Sequence, residues 1–542
     1  MGFRITAIIA VFAVSYSSLA INMWNLQVMK GDLYSAQAAS QHELAGILNP
    51  KRGSIYFTDK DGSRVPAAIN KEYPTIYAVP SEIENPMVTA KVLSTVSDRS
   101  EEELVEALSK ENDPFEPIAK RPTDEQVEFI KSQNIKGVYV DHSWTRFYPL
   151  DEIGSHLIGF SSIADDAIGS GKYGIEFYND DVLRGKPGST DGDKLVRPEN
   201  GEDVYLTIDM NIQFQAEKAL NQLMSEYKAQ GGTIIVQNPK TGAILAMTNK
   251  PDFDPNTYGE FDLERFLNPA VESIYEPGSI IKVITMSAGI DSKKVTPETK
   301  FFDTGSITLN TKTIRNFDLK SYGEVTMTNV IEKSINTGAV FAQRLMGQDI
   351  FYNYLVKFGL NQRTGVDLPG EIAGSLRPLE YDPRDINFAT ASFGQGISVT
   401  PIGLITAIGA IANDGIMMRP YIDADKKPEE IRRVISADTA KQVQKMMVSG
   451  VNKAVIPAIE GYNVAGKTGT AQVPNFTTGG YTEDVINTYV GLAPAYDPAV
   501  IVLVKLNQPA GAPLAGLSVV PAFRELMHFA LNYYGISPDD IN

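Results

Sequence analysis

The sequence predicts a mixed α/β fold of the α+β kind, in about two or three domains behind one apolar N-terminal segment. Its 542 residues exceed the usual size of a single domain. Apolar residues recur at helical spacing between residues 212 and 227, and two β-like runs, 234–236 and 243–247, follow. Residues 238–242 between those runs have the composition of a hairpin turn. A helix that covers a hairpin is typical of a domain that contains both kinds of element.

The N-terminal segment predicts a membrane anchor. Residues 5–24 carry no charge and are mostly apolar, and 20 such residues are enough to cross a bilayer as a helix. Trp24 would lie at the membrane interface. A cleaved signal peptide is the alternative, because Ser18 and Ala20 satisfy the small-residue rule for cleavage. The anchor, residues 1–25, is the favoured interpretation because signal cores usually span only about 7 to 15 apolar residues.

The rest of the chain divides by composition. Residues 30–100 mix short β-like runs with turns, and residues 101–120 form a charged segment that predicts an exposed helix. Residues 185–200 are rich in Gly, Pro, Ser and Asp, which is typical of a domain junction. We therefore expect one domain over residues 26–202 and a second over residues 203–542.

Charge and residue usage exclude several classes of function. The net charge is −17 with no basic run, so nucleic-acid binding is not expected and any anion site must be local. The absence of cysteine excludes a Cys–His nucleophile. Neither a metal nor a cofactor is expected, because ligands for a protein-bound zinc are scarce. The chain has only four histidines, which are His42, His142, His156 and His528.

Three short motifs stand in a fixed order in the C-terminal part of the chain. A single match is a weak signal, because a chain of this length should contain roughly one or two matches to S-x-x-K or S-x-N by chance. Decoys at 132–134, 225–228 and 240–242 match the same three patterns, but in the order S-x-N, S-x-x-K, K-T-G. The other set has the order of a serine acyl-transfer enzyme whose general base is lysine. Its members are Ser279–Lys282, Ser334–Asn336 and Lys467–Thr470.

The first motif has the spacing that this chemistry requires. Apolar residues continue after Ser279, so we expect it at the start of a buried helix, with Lys282 nearly one turn further on. A lysine near its ordinary pKa of about 10.4 would be protonated and could not act as a base. Burial, the positive end of the helix dipole and a nearby Lys467 would each favour the neutral amine. A Ser–His–Asp triad would instead need His528 or an N-terminal histidine folded across domains.

The three motifs and several longer segments resemble a known family. Residues 203 to about 530 resemble the transpeptidase domain of penicillin-binding proteins, in the three motifs and in DVYLTID (203–209), NPKTGAILA (238–246), YEPGS (275–279), TGVDLPG (364–370) and FGQGI (393–397). Residues 26–202 resemble the pedestal, or dimerisation-like domain, of the class B monofunctional members, in LQV (26–28), KRGSI (51–55), RFYP (146–149), HLIGF (156–160), GIE (174–176) and LRG (183–185). The resemblance implies the serine β-lactamase and penicillin-binding transpeptidase fold. One departure is that Tyr56, Phe57 and Thr58 precede the acidic turn at Asp59.

The resemblance implies catalytic roles for residues of the first two motifs. Ser279 would attack the carbonyl of the penultimate D-alanine of a peptidoglycan stem peptide, and an amine of a neighbouring stem would resolve the acyl-enzyme. Lys282 would be the base. Ser334 would relay a proton to the leaving amine, and Asn336 would hold both Lys282 and the substrate amide.

The third motif would form the substrate-binding strand. Lys467, Thr468 and Thr470 would bind the substrate carboxylate, for which a cation and hydroxyl donors are suited. Gly469 would let the substrate approach the strand closely. By family analogy the backbone N–H groups of Ser279 and Thr470 would form the oxyanion hole.

The same resemblance implies partners and a location. The enzyme would act on stem peptides, react with penicillin and other β-lactams, and work beside a SEDS-family membrane glycosyltransferase. It would be a single-pass cell (inner) membrane protein with its catalytic domain outside the cytoplasm. The compact length of the chain, with a short C-terminus after residue 521 and no appended repeats, favours the FtsI-like division type over the elongation type. The motifs leave open a membrane-anchored β-lactamase and a non-catalytic penicillin sensor, whereas a class A bifunctional enzyme is excluded because the region before residue 203 lacks an appropriate acidic motif.

Overall fold

The computed structural model describes residues 15–16, 50–110, 113, 115–162, 169–191, 194–475, 480–512 and 514–540. Its strands, in chain order, are β1 (Ile55–Thr58), β2 (Arg64–Ala78), β3 (Glu116–Lys120), β4 (Val138–Phe147), β5 (Ser161–Ser162), β6 (Ser170–Gly171), β7 (Ser189–Asp191), β8 (Lys194–Val196), β9 (Val204–Leu206), β10 (Gly231–Gln237), β11 (Ile244–Lys250), β12 (Lys300–Asp303), β13 (Ser306–Leu309), β14 (Lys312–Arg315), β15 (Gly323–Thr326), β16 (Ile416–Met418), β17 (Glu430–Arg433), β18 (Ala465–Pro474), β19 (Tyr481–Ala493) and β20 (Val500–Asn507).

The α-helices of the described residues are α1 (Pro86–Leu93), α2 (Glu101–Leu108), α3 (Asp124–Gln133), α4 (Ser155–Ile158), α5 (Gly174–Tyr178), α6 (Asp180–Arg184), α7 (Met210–Tyr227), α8 (Pro269–Glu272), α9 (Ile281–Asp291), α10 (Met327–Glu332), α11 (Asn336–Met346), α12 (Gln348–Lys357), α13 (Arg377–Tyr381), α14 (Asp385–Ala391), α15 (Pro401–Ala412), α16 (Ala437–Ala454) and α17 (Val519–Tyr534).

The chain forms two compact units, each assembled from separate stretches. The first unit comprises Met1–Gly53, Asn70–Phe147 and Arg184–Glu202, and the second comprises Ser54–Ile69, Tyr148–Leu183 and Asp203–Asn542. The domain limits expected from the sequence, at residues 25 and 202, stay a prediction.

The first unit is a small mixed α/β body. The second half of β2 pairs antiparallel with β3, from Thr75 opposite Lys120 to Ala78 opposite Glu116. Helix α2 begins with a capping box in which the Ser100 and Glu103 side chains and backbone N–H groups satisfy each other. The buried core of this unit comprises Ile76, Ala78, Ala90, Leu93, Val96, Leu104, Leu108, Ile118 and Ile130.

The second unit is built on an antiparallel sheet in the order β11-β10-β20-β19-β18, so that β18 lies at an edge. Every residue of β10 is buried, because helices cover both faces of the sheet. Alternate side chains therefore enter different cores: Ile234 packs with α7 and α17, whereas Ile235 packs with α9 and α15. The sheet thereby fixes β18 against the helical layer that contains α9.

Most of the local predictions for this unit are confirmed. The two predicted runs form the β10–β11 hairpin, and the predicted amphipathic helix is α7, whose N-cap Asp209 accepts hydrogen bonds from the N–H groups of Asn211 and Ile212. Residues 281–290 of α9 are all buried, as expected for the helix after Ser279. The three residues that depart from the family pattern, 56–58, complete strand β1.

The single helix expected over residues 101–120 is wrong in its length. Only Glu101–Leu108 is helical, and Glu116–Lys120 is strand β3. Pro114 and Pro117 explain the difference, because proline cannot continue a helix.

The predicted membrane anchor, residues 5–24, lies outside the described residues except for Ser15 and Tyr16. Within the part of the chain that the structure describes, no helix is both long and apolar enough to span a bilayer.

Candidate active site

Ser279 lies in a tight turn that leads into α9. Gly278 adopts φ +58° and is the first residue of the short 3-10 turn Gly278–Ile280. The N–H of Gly278 donates to the carbonyl of Gly394 at 3.1 Å, which ties the turn to the 393–397 loop. The first turn of a helix has backbone N–H groups without intrahelical partners, so Ser279 is placed where such groups are available.

Lys282 is the central group of the site. Its Nζ lies 3.0 Å from Ser279 Oγ, 3.0 Å from Ser334 Oγ and 2.5 Å from Ser334 O. The side chain is fully buried. Burial is the main cause that holds the pKa of Lys282 well below its ordinary value, and the charge of Lys467 lowers it further. A neutral amine can accept the proton of the Ser279 hydroxyl.

Ser334 joins the two lysines. It adopts φ +56° in the connection between α10 and α11, a conformation that costs a residue with a side chain on the order of 1–3 kcal/mol. Its Oγ lies 3.0 Å from Lys282 Nζ and 3.1 Å from Lys467 Nζ. The strained backbone therefore presents one hydroxyl to both amines.

Lys467 is a buried cation on the edge strand β18. Its Nζ donates to Ser334 Oγ at 3.1 Å and to Thr468 O at 3.1 Å. Burial lowers its pKa to about 8, so the amine stays protonated at neutral pH. The expected second cation beside Lys282 is therefore present.

The hydroxyls of β18 differ in their surroundings. Thr468 Oγ1 lies 3.4 Å from Lys467 Nζ. Thr470 Oγ1 accepts a hydrogen bond from the N–H of Ala515 at 3.2 Å, so its own hydrogen stays free to donate.

The structure shows a packing role for Gly469. A methyl group at Gly469 would lie 2.6 Å from the carbonyl oxygen of Pro277 and 3.1 Å from Ile280. A methyl group at Gly278 would in turn lie 3.1 Å from Thr470 O. The glycines let the nucleophile turn pack directly on β18. The close approach of substrate to Gly469 stays a prediction.

Asn336 is near the site, but its observed partner is not Lys282. It is the first residue of α11, and its Nδ2 donates to the carbonyl of Arg315 at 2.9 Å. Among the hydrogen bonds of the described residues, none joins Asn336 to Lys282. The expected contact with Lys282 is therefore not made here.

Glu276 is a site residue to which sequence reasoning gave no role. Its carboxylate accepts hydrogen bonds from the N–H of Gly396 at 3.0 Å and from the O–H of Tyr481 at 3.1 Å. Burial raises the pKa of this carboxyl. Glu276 thus links the segment before Ser279 to the 393–397 loop and to the start of β19. In the sequence, the position of Glu276 within the YEPGS segment is the feature that could have identified it as a site residue.

The decoy motifs and the described histidines of the second unit belong to other elements than the turn of Ser279. Residues 225–227 belong to α7, and residues 240–242 form the turn between β10 and β11. His156 is buried with Nε2 2.9 Å from Arg265 O, and burial lowers its pKa to about 4. His528 contacts Asn532, and His42 lies outside the described residues. No group of three or more His, Asp or Glu side chains in the described part of the chain could hold a metal ion.

Comparisons with known proteins agree with this geometry. The model of the penicillin binding protein transpeptidase domain matches residues 232–528, which is more than half of the chain. The model of the penicillin-binding protein dimerisation domain matches residues 47–206.

Individual relatives match over almost the whole chain. Stage V sporulation protein D of Bacillus subtilis is 33% identical over 95% of this chain and 83% of that protein. The protein named "Probable peptidoglycan D,D-transpeptidase PenA" of Neisseria meningitidis is 29% identical over 99% of this chain and 93% of that protein. The crystal structure of penicillin-binding protein 3 from Mycobacterium tuberculosis, complexed with aztreonam, superposes with a TM-score of 0.70 at 27% identity, over 91% of this chain and 98% of that chain. The chain therefore belongs to the class B penicillin-binding proteins, in which a serine transpeptidase domain follows a dimerisation-type domain.

Proposed function

We propose that this peptidoglycan D,D-transpeptidase uses Ser279 as its nucleophile and Lys282 as the base that activates it. The observation that carries the proposal is the 3.0 Å contact between Ser279 Oγ and a fully buried lysine amine. No histidine contact to Ser279 is present in the described residues, so Lys282 is the base within reach.

In the first step, neutral Lys282 accepts the Ser279 proton as Oγ bonds to the carbonyl carbon of the penultimate D-alanine. The backbone N–H groups of Ser279 and Thr470 stabilise the oxyanion, at about 3 kcal/mol for a typical donor. The tetrahedral intermediate then breaks its C–N bond. Ser334 passes a proton to the departing nitrogen and is reprotonated by Lys282, so the terminal D-alanine leaves as a neutral amine. The 3.0 Å contact between Ser334 Oγ and Lys282 Nζ supports this relay.

In the second step, an amine of a neighbouring stem peptide attacks the ester carbonyl of the acyl-enzyme. The attacking nitrogen gives up a proton through Ser334 and Lys282, and Ser279 Oγ regains one as its bond to the acyl group breaks. The products are a new amide cross-link and free enzyme.

Substrate binding is assigned to β18 and to the start of α11. Protonated Lys467 and the hydroxyls of Thr468 and Thr470 would bind the substrate carboxylate through charge-assisted hydrogen bonds. Asn336 uses its Nδ2 on Arg315 O, which leaves Oδ1 to accept from the substrate amide.

We expect a labelled penicillin to acylate Ser279 alone, as mass spectrometry of a proteolytic digest would detect. Lys282→Ala should slow acylation by about 10²- to 10⁴-fold, because among the described residues no other amine contacts Ser279 Oγ. Lys228→Ala, in the decoy motif at the C-terminal end of α7, is the control and should acylate at the normal rate. Label on Ser225, or acylation of Lys282→Ala within tenfold of the parent, would contradict the assignment.

The rate of acylation should follow a bell-shaped pH profile. It should fall at low pH as Lys282 becomes protonated, and fall again above about 8 as Lys467 loses its charge. Lys467→Ala should acylate more slowly and lose the alkaline limb. Its acid limb should move to higher pH, because removal of the neighbouring cation raises the pKa of Lys282.

A second buried lysine provides the control for this profile. Burial lowers the pKa of Lys505 on β20 to about 8 as well, and its Nζ lies 4.8 Å from the Tyr275 ring centre. Lys505→Met should keep the alkaline limb. If Lys505→Met lost the alkaline limb and Lys467→Ala kept it, the limb would belong to Lys505 and the assignment to Lys467 would be wrong.

The penicilloyl-enzyme should persist for many minutes, which separates a transpeptidase from a membrane-anchored β-lactamase. Rapid hydrolysis needs a base that activates water, and no carboxylate contacts Ser279 or Lys282 in the described residues. Intact-protein mass spectrometry would follow the penicilloyl adduct over time. In a second assay with a peptide substrate, the peptidyl-enzyme should react with an added amine acceptor. Regeneration of free enzyme within seconds would identify a β-lactamase.

We propose further that residues 1–25 anchor the enzyme in the cell membrane and that it acts in septal wall synthesis beside a SEDS-family glycosyltransferase. The adjacent matches to a dimerisation domain and a transpeptidase domain support the class B arrangement. A fluorescent fusion should concentrate at division sites and remain in the membrane fraction. Uniform labelling of the sidewall would favour the elongation type instead.

A further inference from the structure

A groove beside the second motif plays no part in the mechanism above. It has a volume of about 440 Å³, within the range of roughly 300 to 1,000 Å³ that ligand sites occupy. None of its lining residues belongs to the three motifs. The lining residues are Phe301, Thr304, Ser306, Ile307, Thr337, Phe341, Arg344 and Leu345.

One wall of the groove is a single face of α11. Thr337, Phe341, Arg344 and Leu345 stand at i, i+4, i+7 and i+8, which places them in one row along the helix. Seven residues of helix span about 10 Å. The other wall is β12, β13 and the turn between them. An extended chain of about three residues would match this length.

The lining combines an apolar floor with one cation. The rings of Phe301 and Phe341 stack with their centres 4.8 Å apart. Arg344 is the only charged lining residue and is exposed, and among the described residues no carboxylate forms an ion pair with it.

The nearby carboxylate of Asp303 is not available to a ligand. It is fully buried, and its two oxygens accept hydrogen bonds from Gly305 N, Asn316 Nδ2, Tyr322 N and Thr337 Oγ1. The groove therefore favours an anion over a cation, and a carboxylate suits the planar guanidinium of Arg344.

The groove shares its wall with the second motif. Thr337 Oγ1 donates to Asp303 at 2.6 Å, and the next residue toward the N-terminus, Asn336, donates to Arg315 O at 2.9 Å. The N–H of Thr337 also donates to Asn316 Oδ1 at 3.3 Å. A ligand that moves Thr337 would shift the start of α11, which carries Asn336 and follows Ser334.

We propose that this groove binds an extended peptide of about three residues with a free C-terminal carboxylate and an apolar side chain. Its carboxylate pairs with Arg344, and its apolar group packs on Phe301 and Phe341. We propose also that occupancy changes the rate at which Ser279 is acylated, a part that rests on the function proposed above.

Binding is tested on the full-length chain in detergent, with Ser279 first blocked by penicillin so that the active site is occupied. Isothermal titration calorimetry compares N-acetyl-Ala-Ala-Phe carrying a free carboxylate with the same peptide as its C-terminal amide. The acid should bind roughly two- to fivefold more tightly, because an ion pair with an exposed arginine is typically worth no more than about this factor. Equal affinity of acid and amide, or no binding of either at millimolar concentration, would overturn the proposal.

Variants locate the bound peptide. Arg344→Gln should remove the preference for the acid, and Ile307→Trp should fill the groove and abolish binding of both peptides. Arg363→Gln, another exposed arginine, is the matched control and should bind like the parent. Unchanged affinity of both Arg344→Gln and Ile307→Trp would place the peptide elsewhere and overturn the assignment.

The kinetic part uses unblocked enzyme and a fluorescent penicillin. Saturating acid peptide should change the acylation rate at least threefold in the parent and leave Arg344→Gln unaffected. An unchanged rate in the parent at proven saturation would overturn the coupling while leaving the binding site in place. Label confined to Ser279 in a digest of the peptide-free enzyme shows that the nucleophile assignment holds, so the two failures are distinguishable.

Discussion

The site depends on keeping a lysine amine neutral inside the protein. Lys282 is fully buried, and its amine is surrounded by two serine hydroxyls and a backbone carbonyl, with no carboxylate partner among the described residues. An unpaired charge at this position would carry a large desolvation penalty, so the protein favours loss of the proton. Lys467 adds to this effect, since a protonated amine on the far side of Ser334 repels a second positive charge. Two chemically identical side chains are thereby given different charge states: Lys282, the proposed base, favours the neutral amine, while Lys467 stays a cation.

This separation needs close backbone packing. The turn that carries Ser279 lies directly against β18, because Gly278 and Gly469 have no side chain at the contact. Gly394 completes the arrangement, since a methyl group there would overlap the carbonyl of Gly278. With these three glycines the turn lies close to β18, and Lys467 reaches Ser334. The hydrogen bond from the N–H of Gly278 to the carbonyl of Gly394 also helps to hold the turn in place.

The sequence predicted the parts of this site that depend on local spacing. Ser279 and Lys282 are three residues apart on one helix, so their contact follows from helical geometry. The order of the motifs distinguished them from the decoys. What the sequence could not predict depends on which distant backbone groups lie nearby. Asn336 bonds to Arg315 because β14 ends beside the start of α11, and Glu276 is held by Gly396 and Tyr481, which lie far along the chain. The helix expected over residues 101–120 ends early for a local reason, since Pro114 and Pro117 cannot continue a helix.

The net charge of the protein bears on how its substrate is recognised. With a net charge of −17, the protein repels anions at long range, yet the proposed substrate and β-lactams each carry a carboxylate. At physiological salt this repulsion is screened beyond about 8 Å, so it mainly affects the rate at which substrate and enzyme meet. Lys467 is almost completely buried, so solvent screens it much less and its attraction acts at contact distance. In the proposed site, selection for a carboxylate would therefore be made at contact with buried Lys467, next to the hydroxyls of Thr468 and Thr470.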